Sequence, residues 1–209
     1  MPTPRHPLLA AWSCSGSLLV ALVLTCLLAG CRSAGVNVPP GSLARIEGRT
    51  IRFSRTVHTD LETAWRAVGT KEGLDRWFMV IAADPVEGAP YSFRSGWDGV
   101  VGEVNAPHAI QFNAGEDGFT RFELRDLGSG EIEFALIDQM SAGELPSGTS
   151  NPVGLEQPGG PGTHWVGLVA GWHGFADRFV AVLDGSSIDF DHDDMIEVYA
   201  PLVAEAAAN

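Results

Sequence analysis

Thr163-His-Trp-Val-Gly-Leu-Val-Ala-Gly-Trp-His-Gly-Phe-Ala-Asp-Arg-Phe-Val-Ala-Val-Leu-Asp-Gly185 decides how this chain of 209 residues folds. Trp165, Leu168, Val169, Trp172, Ala176, Phe179 and Leu183 recur three or four apart, so a helix here has one broad apolar face that must be covered. Thr163 reads as its cap and Gly185, after Asp184, as its stop. Gly167, Gly171 and Gly174 each cost about 1 kcal/mol relative to Ala inside a helix, which implies either close approach of a neighbour or space left against the helix.

The cover lies upstream. From Tyr91 to Met140 the period becomes two: Tyr91 and Phe93, Val101 to Val104, Ile110 and Phe112, Phe119 to Leu124, then Ile132, Phe134 and Leu136. Turn residues around Pro107, Gly115 to Gly118 and Gly128 to Gly130 separate these runs, as in an antiparallel meander. Ser141 to Gly162, rich in Gly, Pro and Ser, reads as a long loop with room for one extra edge strand, either a rim or lid or equally well slack.

Ahead of the meander, Ile51, Phe53 and, after Arg55, Val57 alternate along a first strand. Thr59-Asp-Leu-Glu62 has capping-box spacing before a helix carrying Leu61, Ala64, Trp65 and Val68, which Gly69 stops. Thr70 caps a second short helix with Leu74, Trp77 and Phe78 on one face. After the long helix, Asp191-His-Asp-Asp194 opens a short terminal one, its acids suited to the positive end, with Ile196, Tyr199 and Val203 inward and Pro201 bending or ending it.

The amino terminus belongs to a different class of segment. Arg5 and His6 precede an apolar run from Ser17 to Leu28 that stops at Ala29-Gly30-Cys31, the organisation of a signal peptide over residues 1–30. The run is short for a ~30 Å hydrocarbon core, and no basic stop-transfer cluster follows. Leu28-Ala-Gly-Cys31 resembles the lipobox of bacterial lipoproteins, which implies lipidation of Cys31 and attachment to the extracytoplasmic face of a cell membrane. An ordinary secretory cleavage nearby and a true start near Val36 are the alternatives. Cys14 and Cys26 leave with the signal, so no disulfide framework or cysteine-ligated metal remains. Residues 31–44, mostly Gly, Pro, Ser and Asn without apolar periodicity, read as a flexible tether, and 45–209 as one domain. With 26 acidic against 13 basic residues and Lys71 the only lysine, the chain has no basic stripe for nucleic acid.

Strand, two short helices, antiparallel meander and long carboxy-terminal helix together resemble the α+β helix-grip fold of the START-like (SRPBCC) superfamily. Thr56-Val-His-Thr-Asp-Leu-Glu-Thr-Ala-Trp-Arg-Ala-Val68 with Leu74-Asp-Arg-Trp-Phe78 is similar to the opening motif of its activator of heat-shock protein 90 ATPase homologue family. Gly171 to Gly185 is similar to that family's closing helix, and the resemblance covers about Arg49 to Val203. It implies a curved sheet wrapped around the long helix, with a cavity between them that in relatives accepts hydrophobic or amphipathic small molecules. An exported domain would be separated from the cytosolic chaperone that names the family, so a chaperone partner is not expected.

Few residues carry chemistry. His173 and Asp177, four apart on one helix face, are weak candidates for a general base and its orienting acid or for two metal ligands, but a helix-surface hydrogen bond accounts for the pair better, because no nucleophile or third ligand accompanies it. Asp189, Asp191 and Asp193 alternate like a calcium loop, yet Asp194 stands where that loop needs glycine and Ala200 where it needs glutamate. Helix capping explains them better, and no metal site or cofactor is expected. A ligand would be gripped by aromatic residues, for which Trp77, Phe93, Trp97, Phe112, Trp165 and Trp172 are the candidates, Trp97 foremost because it sits in a turn between Gly96 and Asp98-Gly99. The functional expectation is a non-catalytic, membrane-anchored binder of a small hydrophobic ligand. A cyclase- or aromatase-like enzyme using His173, or a protein-interaction module, are the alternatives.

Overall fold

Alternating burial along the strands builds one antiparallel sheet whose inner face is aromatic. The computed structural model describes residues 38, 41–141 and 161–208, which belong to a compact unit spanning Val36–Asn209. The expected signal peptide over 1–30, Cys31, most of the expected tether and most of the stretch expected as a loop over 141–162 lie outside the described residues.

In chain order the elements are β1 (Arg45–Glu47), β2 (Thr50–His58), α1 (Leu61–Gly69), α2 (Lys71–Trp77), β3 (Pro90–Ser92), β4 (Asp98–Asn105), β5 (Ala109–Ala114), β6 (Gly118–Gly128), β7 (Glu131–Gln139), α3 (Pro161–Asp184) and α4 (His192–Ala208). The strands run β1-β2-β7-β6-β5-β4-β3 in one seven-stranded antiparallel sheet, so only the β2–β7 pairing departs from a meander. This is the helix-grip arrangement: a curved sheet holding α3 against its inner face.

Register makes that inner face. Phe53 pairs with Leu136, Leu136 with Phe122 and Phe122 with Ile110, and all four side chains are fully buried. Phe112 and Val101, paired with each other, extend the same face in the neighbouring row, while α3 answers with Val169, Ala176 and Phe179. The α3 segment from Trp165 to Asp184 is long and apolar enough to cross a membrane, but half of it is buried in the domain, as a core helix requires. The outer face is charged and largely self-paired: Arg121 bridges Glu103 and Glu123, Arg52 reaches Glu123, and Arg125 meets Glu133.

Several expectations need correction. The cap of α1 is Asp60, whose carboxylate accepts the Thr63 N–H at 2.7 Å, displacing Thr59; a carboxylate also suits the helix's positive end better than a hydroxyl. Thr70 does cap α2, accepting the Gly73 N–H at 3.1 Å. The long helix begins at Pro161, two residues before Thr163, and proline needs no amide partner in a first turn. Strand β1 precedes the strand expected to be first, and α4 runs 17 residues with Pro201 inside it. The end of the tether is also fixed: the Ala44 N–H donates to the Tyr199 hydroxyl at 3.0 Å, and the Ser42 carbonyl accepts from Arg55 at 2.8 Å.

Candidate functional site: an aromatic cleft beside the gripped helix

The six aromatic candidates separate into two environments. Trp77, Phe93, Phe112 and Trp165 are at most 2% exposed and belong to the packed core. Trp77 lies edge-on to Phe122, Phe134 and Phe179 with centroids 5.1–5.6 Å apart, and Phe134 stacks on Phe179 at 3.8 Å. These rings occupy the space between sheet and helix where the resemblance implied a cavity. The Trp77 indole N–H is satisfied by the Ala67 carbonyl at 2.9 Å, as a buried donor requires.

Trp97 and Trp172 are placed differently. Together with Met79, Ser95, Gly96, Gly167, Leu168, Gly171 and Phe175 they line an open cleft of about 340 Å³ in which no lining residue is charged. That volume lies within the range of small-molecule sites, roughly 300–1,000 Å³. One wall is α3, because residues 168, 171, 172 and 175 share a helical face. The other is the β3–β4 turn, where Gly96 adopts φ +89° and carries Trp97 over the helix. The two indoles tilt against each other at 5.5 Å, and Phe78 stacks on Trp172 at 5.6 Å. Trp172 Nε1 is buried and has no hydrogen-bond partner among the described residues.

The α3 glycines realise both readings of their cost. A Cβ at Gly174 would lie 2.8 Å from the Phe190 ring, so this glycine permits close packing. At Gly171 a Cβ would meet nothing within 4 Å, and at Gly167 only the His192 ring at 3.9 Å, so these leave bare backbone facing open space.

His173 and Asp177 do meet, but inside a structural network. His173 Nε2 lies 3.2 Å from Asp177 Oδ2, and Arg55 bonds the same carboxylate through Nε at 2.8 Å. His173 Nδ1 lies 2.7 Å from the Tyr199 hydroxyl. One proton arrangement satisfies every group: Nε2–H donates to Asp177, and the Tyr199 O–H, already accepting from Ala44, donates to Nδ1. Burial alone would raise the Asp177 carboxyl, but the hydrogen bond from His173 and the charge of Arg55 outweigh it and hold the group below the usual range. Burial pushes the Tyr199 phenol far above its ordinary value, against the Ala44 hydrogen bond. The acidic run at the α4 start acts as a cap, with Asp191 accepting the N–H groups of Asp193 and Asp194.

Sequence reasoning missed Met79, Ser95, Leu168 and Phe175 as cleft walls, and Arg55 as the cation of the network. Arg55 had a signal: it occupies an inward position of β2, between Phe53 and Val57.

No family model and no curated protein matches the chain. Solved structures do share its fold. CalU16 from Micromonospora echinospora superposes with a TM-score of 0.57 at 15% identity, covering 83% of this chain and 94% of that one. EF2215 from Enterococcus faecalis, described as a conserved protein of unknown function, gives 0.55 at 16% identity over 78% and 90%. DynU16, from the dynemicin biosynthetic locus, gives 0.50 at 21% identity over 65% of this chain but only 47% of its own; the match thus spans about half of DynU16. At these identities the likeness establishes the α+β helix-grip fold.

Proposed function

We propose that this chain is a lipid-anchored envelope protein, related to the activator of heat-shock protein 90 ATPase homologue branch of the START-like superfamily, that binds a small hydrophobic or amphipathic molecule without transforming it. The observation that carries the binding role is the uncharged cleft between Trp97 and Trp172, where two of the six expected aromatic residues border open space. CalU16 and DynU16 have the same fold, and DynU16 comes from a biosynthetic locus, a setting compatible with small-molecule handling. A catalytic role for His173 finds no support, because both ring nitrogens are engaged and the residue is absent from the cleft's described lining.

Anchoring rests on Cys31. A diacylglycerol with an amide-linked acyl chain supplies more than one hydrophobic anchor, enough for stable attachment. The excess of 13 negative charges disfavours electrostatic attraction to anionic headgroups, leaving the lipid as the attachment. Intact-mass analysis of the protein from membranes of its native host is the test, followed by solvent extraction. Acylation at Cys31 with a co-extracted small molecule is the expected result. An unlipidated cytosolic chain would overturn the anchoring, and a consistently empty domain would overturn the binding role.

A further inference from the structure

The cleft's walls specify the shape and polarity of an occupant. Two glycines on its helical wall leave backbone bare although a methyl group would fit at Gly171 without contact, so packing gives no reason for glycine there. Helix propensity argues for alanine at both positions. The bare strip is bordered by Trp97, Trp172 and Phe175, whose faces favour planar partners over branched chains. Trp172 adds an indole N–H that the fold buries without a partner among the described residues, whereas buried polar groups are almost always satisfied. Because that nitrogen is covered, an incoming acceptor reaches it only as neighbouring side chains shift, and the Trp97 ring, partly exposed and with its centroid 5.5 Å from that of Trp172, is a neighbour with room to move.

Resting on the reading of this cleft as the ligand site, we propose that it selects a flat, uncharged ring system lying on the α3 backbone at Gly167 and Gly171, and that the ring carries an oxygen acceptor for Trp172 Nε1. An aliphatic chain would leave that donor unpaired and would not need a flat floor.

The test uses the full chain in lipid nanodiscs and follows the Trp172 indole N–H resonance during titration with coumarin, naphthalene and 1-octanol. Coumarin is flat with a carbonyl, naphthalene flat without an acceptor, and octanol aliphatic. Coumarin is expected to move the resonance and to bind about tenfold more tightly than naphthalene, the gain of one buried hydrogen bond. Trp172→Phe should remove that preference. Gly171→Ala should raise the melting temperature yet weaken both rings, a combination that a purely structural glycine would not produce. Equal affinity for coumarin and naphthalene would overturn the acceptor, and unchanged ring affinity in Gly171→Ala would overturn the floor. Binding of octanol alone would overturn the flat-ring preference while keeping the cleft as the ligand site. Binding of none of the three would overturn both.

Discussion

Arg55 shows how one residue sets the character of a whole patch. On an inward position of β2, its side chain keeps only 10% of its exposure, and it is neutralised by Asp177 from α3 while bonding the Ser42 carbonyl. Removing it leaves a half-buried carboxylate short of a cation. Arg55→Met is expected to cost about 2–4 kcal/mol in denaturant unfolding, toward the lower end because Asp177 retains 35% exposure. The same patch gives stability a defined pH dependence. The folded Asp177 carboxyl lies below its unfolded value, so its contribution is present above about pH 4 and lost as pH falls further. The Tyr199 phenol is raised, so its contribution is present below about pH 10 and lost as pH rises beyond. Acid and alkaline unfolding should therefore flatten separately, the first in Asp177→Asn and the second in Tyr199→Phe; an unchanged profile in either variant would contradict the assigned role. The His173–Asp177 pair was legible from its four-residue spacing, but its purpose was not, because Arg55 and Tyr199 are 118 or more and 22 or more positions away in sequence.

Elements were legible where periodicity was strong. The meander and the long helix follow from alternation and from a three-to-four repeat, and the two short helices from their caps and stops. Strand β1 offered only Ile46 between two charged residues, too little pattern to register, and its pairing with β2 supplies the order instead. Pro201 reads in the sequence as a bend or an end of the last helix, yet that helix continues past it on the strength of buried Tyr199 and Val203. The ligand candidates were too many for a related reason: large aromatic side chains fill a gripped core and line a cleft alike, and composition cannot separate the uses. Glycines can be tested at this scale. A Cβ at Gly73 would lie 2.0 Å from the Arg66 carbonyl, where α1 and α2 cross, so Gly73→Ala should destabilise by about 3 kcal/mol. Gly171→Ala, in open space, should instead stabilise by about 0.5–1 kcal/mol. Thermal melts of the two variants should move in opposite directions, and a shared direction would contradict the packing described for one of them.

At the scale of the molecule, a tether meets its domain where the Arg55 network holds Ser42 and Ala44, so the folded part begins at a fixed point rather than trailing from the sheet. The proposed lipid at Cys31 would be separable from this fold: Cys31→Ser is expected to shift the protein from the membrane to the soluble envelope fraction with its melting temperature unchanged, and persistent membrane association would contradict the proposed anchor. The proposed binding role rests on the cleft, and occupancy of that cleft is the most direct thing to measure. Native mass spectrometry of the full chain taken from its host envelope should show an added small-molecule mass on the wild type that is missing from Gly171→Leu, a variant that fills the open space while α3 keeps its helical signal. The same mass on both proteins, or on neither, would contradict the cleft as the binding site.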